Sequence, residues 1–85
     1  MVNPTQLMSD LIEAANQKMK EGFLFNGERL VLDHGFSKAT VSGYEFKVRV
    51  EIINTNSKAN RRRKVWWIND KRSSTQKVHD VLKSL

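Results

Sequence analysis

Residues 44–68, YEFKVRVEIINTNSKANRRRKVWWI, decide how the rest of this chain folds. The first arm alternates strictly. Tyr44, Phe46, Val48, Val50 and Ile52 fall on one side, and Glu45, Lys47, Arg49 and Glu51 on the other. A period of two with one apolar side is the pattern of a strand lying on a core. The second arm, residues 61–68, is equally β-prone but opens with four successive cations, Arg61, Arg62, Arg63 and Lys64, followed by Val65, Trp66 and Trp67. Between the arms, residues 54–60 (NTNSKAN) are polar turn formers. The whole reads as a long β-hairpin with a basic, Asn-rich tip.

The register follows from the loop. With residues 54–60 as the connection, Ile53 faces Arg61. Trp66 then faces Val48 and Ile68 faces Phe46 on the apolar side. Trp67 faces Lys47 and Val65 faces Arg49 on the other side, with Arg63. Adjacent strand residues point opposite ways, so the two tryptophans separate. Trp66 is expected in the core. Trp67 is expected on a charged face, held by cation–π contact with Lys47 or a neighbouring Arg.

Working outward, Asn3 and Pro4 open a helix: Asn3 caps, Pro4 fits the first helical position, and Gln6 can complete a capping box. Leu7, Leu11, Ala15 and Met19 follow at helical spacing, widened by Met8 and Ile12, with Gly22 as the expected stop. Phe23-Leu24-Phe25 reads as a plug for one end of the core. Asn26-Gly27 is a two-residue turn signal, and residues 28–33 a strand. His34-Gly35-Phe36-Ser37 reads as a turn. Residues 38–53 read as one long strand, bent at Ser42-Gly43. Residues 69–72 form a polar connection. Ser73 or Ser74 caps a last helix whose apolar stripe is Val78, Val81, Leu82 and Leu85. The expected fold is α+β, an α-β-β-β-α two-layer sandwich. It has a three-stranded antiparallel sheet and both helices on one face, which leaves the other open.

The chain has 85 residues, enough for one small domain with a modest core. It has no cysteine and no apolar run long enough to span a bilayer, and its first residues resemble no targeting signal; a cytoplasmic protein is the default expectation. The formal net charge is +6. Residues 1–57 hold six Lys or Arg against seven acids. Residues 58–72 hold Lys58, Arg61, Arg62, Arg63, Lys64, Lys71 and Arg72 against Asp70 alone, so the whole excess sits there. Like charges gathered in so short a stretch repel, and an external polyanion is the natural compensation.

Catalytic signals are poor. His34 and His79 are the only histidines, and the glycines at 22, 27, 35 and 43 form no phosphate loop. No zinc spacing exists, and no cofactor is implied. An acid–base ribonuclease built on His34 with Tyr44, Glu45 or Arg49 is conceivable chemistry, but nothing in the spacing calls for it, and the chain reads as non-enzymatic. The expected activity is nucleic-acid binding, mainly through the phosphate backbone, in a regulatory or architectural role. A duplex is favoured, with DNA slightly ahead of RNA. The expected contacts are Lys47, Arg49, Lys58, Asn60, Arg61, Arg62, Arg63, Lys64, Trp67, Lys71 and Arg72. The alternative is a small modulator of the mobile-element type. It would dock its basic surface and paired tryptophans on an acidic host protein such as a polymerase or nuclease. An exposed edge strand would also allow a homodimer.

The α-β-β-β-α order resembles the layout of double-stranded-RNA-binding domains and of some small toxin and regulator folds. Lys71, Arg72 and Lys77 stand where the RNA-binding family carries a basic cluster, at the start of its last helix, though without its Ser-Lys-Lys arrangement. Asp33-His34-Gly35 stands near that family's Gly-His loop. The sequence is not assigned to the family on these residues.

Overall fold

The computed structural model describes residues 3–26, 29–54 and 60–85. The order is α1 (Pro4–Gln17), β1 (Lys20–Asn26), β2 (Arg29–Val41), β3 (Tyr44–Asn54), β4 (Asn60–Ile68), β5 (Lys71–Ser73) and α2 (Thr75–Lys83). The strands form one antiparallel sheet in sequence order, β1-β2-β3-β4-β5. The α+β class holds, but the sheet has five strands where the sequence suggested three. Two turns, together with the apolar stretch 23–25 drawn into a strand, account for the difference.

Ser42 and Gly43 both have positive φ, 51° and 82°, and Val41 pairs with Tyr44 across them. This is the two-residue hairpin geometry whose twist suits the flanking strands. The expected bend in one long strand is therefore a reversal between two. Asn69 and Asp70 repeat the device, with φ of 49° and 65°, and Ile68 pairs with Lys71. The expected polar connection thus contains a turn and a short fifth strand. The Asn69 side chain accepts from the Glu45 backbone N–H, and the Asn69 backbone N–H donates to the Glu45 carbonyl, which ties this turn to the start of β3.

The expected turn at residues 34–37 is instead continuous strand within β2. Gly35 is there because a helix passes over it. A Cβ at Gly35 would run into the Ala15 carbonyl oxygen and lie 2.9 Å from the Met19 nitrogen. Next to it, the buried Ser37 hydroxyl donates to the Leu11 carbonyl. Residues 23–25, expected as a plug, belong to β1. Gly27 of the expected Asn-Gly turn lies outside the described residues.

Asn3 caps α1 by accepting from the Gln6 N–H. The Gln6 side chain donates to Asp10 rather than back to the cap, so the capping box is not closed. The helix stops at Lys18, several residues before Gly22, which lies in β1. Ser74 caps α2 by accepting from the Lys77 N–H. One core cluster joins Met8, Leu11 and Ala15 of α1, Val78 and Leu82 of α2, and Phe46, Val48, Val50 and Trp66 of the sheet. The helices therefore share their core with the even-numbered side of β3. Among the described residues, no helix is long and apolar enough to cross a membrane.

The layout no longer follows the double-stranded-RNA-binding pattern. Asp33-His34-Gly35 lies inside β2 rather than in a loop, and two further strands extend the sheet.

Candidate nucleic-acid interface

β3 and β4 pair in the register read from the loop: Ile53 with Arg61, Arg49 with Val65, Val48 with Trp66, Lys47 with Trp67 and Phe46 with Ile68. Asn54 pairs with Asn60, so the strands run to both ends of the expected loop, and its centre, Lys58 included, lies outside the described residues.

Directly paired residues of antiparallel strands share a face. The odd-numbered side of β3 therefore reads as rows across the sheet. One row is His34, Glu51 and Arg63; the next is Phe36, Arg49 and Val65; the third is Lys38, Lys47, Trp67 and Arg72. A last row pairs Thr40 with Glu45. Arg61, opposite Ile53, extends this side toward the hairpin tip.

Two kinds of site share this face. At the tip end, Glu51 is fully buried. Arg63 donates from Nε to Glu51 Oε1 and also brings Nη2 against it. Arg49 Nε stands 3.0 Å from Glu51 Oε2, an ion-pair distance without hydrogen-bond alignment. One carboxylate thus serves two guanidinium groups and offsets the charge of one of them. Such a triad contributes little net stability, because desolvation offsets the attraction, but breaking it strands a buried charge. The alternation of β3 puts Glu51 on the face expected to be open, and there the structure buries it.

Further along lies an aromatic pair threaded by cations. The Phe36 and Trp67 ring centroids are 6.5 Å apart and their planes tilted by 37°. Lys47 Nζ stands 4.7 Å from the Trp67 centroid and 5.9 Å from that of Phe36. The Arg49 guanidinium carbon lies 5.4 Å and 5.9 Å from the same two rings. All four fall within cation–π range. His34 meets the far side of the row edge-on, 5.9 Å from Phe36. Phe36 keeps 41% of its surface exposed, whereas Trp66, the neighbour of Trp67, keeps 1%.

The remaining expected contacts divide. Arg61, Arg62, Lys64, Lys71 and Arg72 are exposed. Arg62 pairs with Ile52 and Lys64 with Val50, which puts both on the helix side, beyond the end of α1. There they rim a cleft of about 210 Å³ with Ile12, Asn16 and Met19. That is below the size of an ordinary ligand pocket. Lys71 pairs with Ile68 and lies toward α2, while Arg72 pairs with Trp67 at the sheet edge. As neighbours in a strand, the two point to opposite faces of β5. Among the described residues the ion pairs are those of Glu51, so Lys38, Lys47, Arg61 and Arg72 have no acidic partner at ion-pair distance there.

Sequence reading passed over Phe36, Lys38 and the pairing role of Glu51. The missing signal is Ser42-Gly43. Taken as a hairpin turn, it puts Val41 opposite Tyr44 and, counting back, Lys38 opposite Lys47 and Phe36 opposite Arg49. The same count parts His34 from two of the residues weighed for ribonuclease chemistry, while Arg49 stays one row away. Tyr44 belongs to the helix side, and Glu45 lies three rows from His34. Among the described residues no three His, Cys, Asp or Glu side chains converge on a metal site. No family model matches the chain, and no curated protein or solved structure matches it.

Proposed function

We propose that this chain is a non-catalytic nucleic-acid-binding protein, regulatory or architectural in role. It holds its ligand mainly by phosphate contact along the odd-numbered side of β3 and the basic arm of β4. The observation that carries this reading is a set of cations on one face without acidic partners among the described residues: Lys38, Lys47 and Arg72 in the row of the half-buried Trp67, beside the exposed Phe36, and Arg61 toward the hairpin tip. Phosphate contacts position a polyanion, and aromatic rings among them engage bases. The acidic-protein reading drew on the two adjacent tryptophans as interface anchors, and with Trp66 buried only Trp67 could serve it.

The test is a binding titration against DNA and RNA at several salt concentrations. Log affinity falls linearly with log salt, by about 0.9 per phosphate contact on a duplex and about 0.7 on a single strand. Arg61→Ala with Arg62→Ala should flatten the slope by roughly one and a half to two units. Arg63 is left intact because Glu51 depends on it. An unchanged slope removes the arm from the interface. Absence of binding to every nucleic acid rejects the reading and turns attention to acidic proteins.

A further inference from the structure

We propose that the face carrying Phe36 and Trp67 is a stacking platform for unpaired bases, so that the preferred ligand is single-stranded. This rests on the nucleic-acid reading above and specifies its substrate.

The sequence alone favoured a duplex, because a run of cations reads as backbone contact. The platform changes that preference. In a duplex each base has both faces covered by its neighbours and offers only its edges to the grooves. A ring lying on a sheet has a face to offer, and only a splayed or single-stranded base can meet it. Phe36 is set into β2 and Trp67 into β4, on either side of β3. Neither tops a projecting element that could enter a groove. Three hydrogen-bonded strands hold the two rings on one face, with centroids 6.5 Å apart and planes tilted by 37°.

The charges suit the same ligand. Lys47 and Arg49 stand against both rings, and Lys38 and Arg72 flank them in the row of Trp67. A nucleotide whose base lies on a ring then has a cation on either side for its phosphates. Arg49 is held from behind by the buried Glu51, which orders its guanidinium at the ring pair before a ligand arrives. Ordering before binding reduces the entropy lost on binding. Phe36, at 41% exposure, is one of the two most exposed large apolar side chains among the described residues. A base that covered it would remove that apolar surface from water.

The experiment compares a fluorescein-labelled oligothymidylate of about 12 nucleotides, within the site size of common single-strand binders, with a blunt duplex of the same length. Both are titrated at one salt concentration with the wild-type chain, Phe36→Leu and Trp67→Leu. Both variants keep the charge and an apolar side chain, and thermal melts check their folding. The single strand should bind more tightly than the duplex. Each variant should weaken single-strand binding by roughly fivefold to a hundredfold, with the salt slope and duplex affinity unchanged. If the duplex binds as tightly as the single strand, or Phe36→Leu stays within about twofold of wild type, the platform is overturned while nucleic-acid binding stands. If neither oligonucleotide binds, the broader reading falls and the platform with it.

Discussion

On one side of β3, Phe46, Val48 and Val50 are sealed beneath two helices; on the other, Lys47, Arg49 and Glu51 share a face with Phe36 and Trp67. Both sides bury residues, by different means. The even-numbered side buries apolar area, which is favourable in proportion to its extent. The odd-numbered side buries a carboxylate, which is tolerable only because Arg49 and Arg63 balance it. The contrast shows that the cations counted along the sequence are not equivalent. Arg49 and Arg63 are tied to Glu51, whereas Lys47 and Arg61 stand outside that cluster. A run such as Arg61-Arg62-Arg63-Lys64 mixes structural charge with charge directed outward.

The two sides should fail differently when altered. Leu11 lies in the core cluster at 6% exposure. Leu11→Ala should cost roughly 2–5 kcal/mol in denaturant melts, a large share of the stability of a small domain. A loss below about 1 kcal/mol would mean that α1 does not seal the even-numbered side. On the odd-numbered side, Glu51→Gln keeps shape but leaves two guanidinium groups without a counter-charge. The side chains of Arg49 and Arg63 keep 18% and 23% exposure and can turn to water. The cost should therefore fall at or below the low end of the range for a broken buried pair, about 2–3 kcal/mol. Pairing this variant with Arg63→Met should recover part of the loss. If the two effects simply add, the carboxylate does not work through Arg63.

How much of this contrast the sequence discloses depends on the turns. The β3–β4 register was legible because the apolar parity of β3 and the length of the polar loop agree on one alignment. The helix stripes were legible from spacing, and Asn3 and Ser74 from their capping chemistry. Several of the misreadings concern glycines and short polar pairs. Gly35 looked like a turn residue because nothing in the sequence reports that Ala15 will pass over it. Ser42-Gly43 looked like a bend, although its positive φ values make a reversal. That one misreading merged β2 with β3 and hid Phe36 and Lys38 from the candidate site. The burial of Glu51 was not legible, since it depends on two arginines converging from adjacent positions on two strands.

The finest test of the contrast is spectroscopic, because Trp66 and Trp67 are neighbours in sequence and sit on opposite sides of the sheet. Trp66 is sealed opposite Val48, and Trp67 lies beside the Lys47 ammonium. Single Trp→Phe variants report each indole alone. Trp66→Phe should remain folded. Phe keeps most of the apolar volume, and the indole N–H it deletes is buried without an acceptor among the described residues. Losing an unpaired buried donor offsets part of the lost packing. In Trp67→Phe the remaining indole should emit to the blue and resist acrylamide, as expected of a side chain at 1% exposure. In Trp66→Phe the remaining indole should be quenched by acrylamide and respond to added oligonucleotide, because stacking would cover it. A one-residue slip in the pairing exchanges the two tryptophans between faces, so the opposite pattern would reject the register. It would also move the aromatic pair off the basic face, and the interface built on it would have to be abandoned.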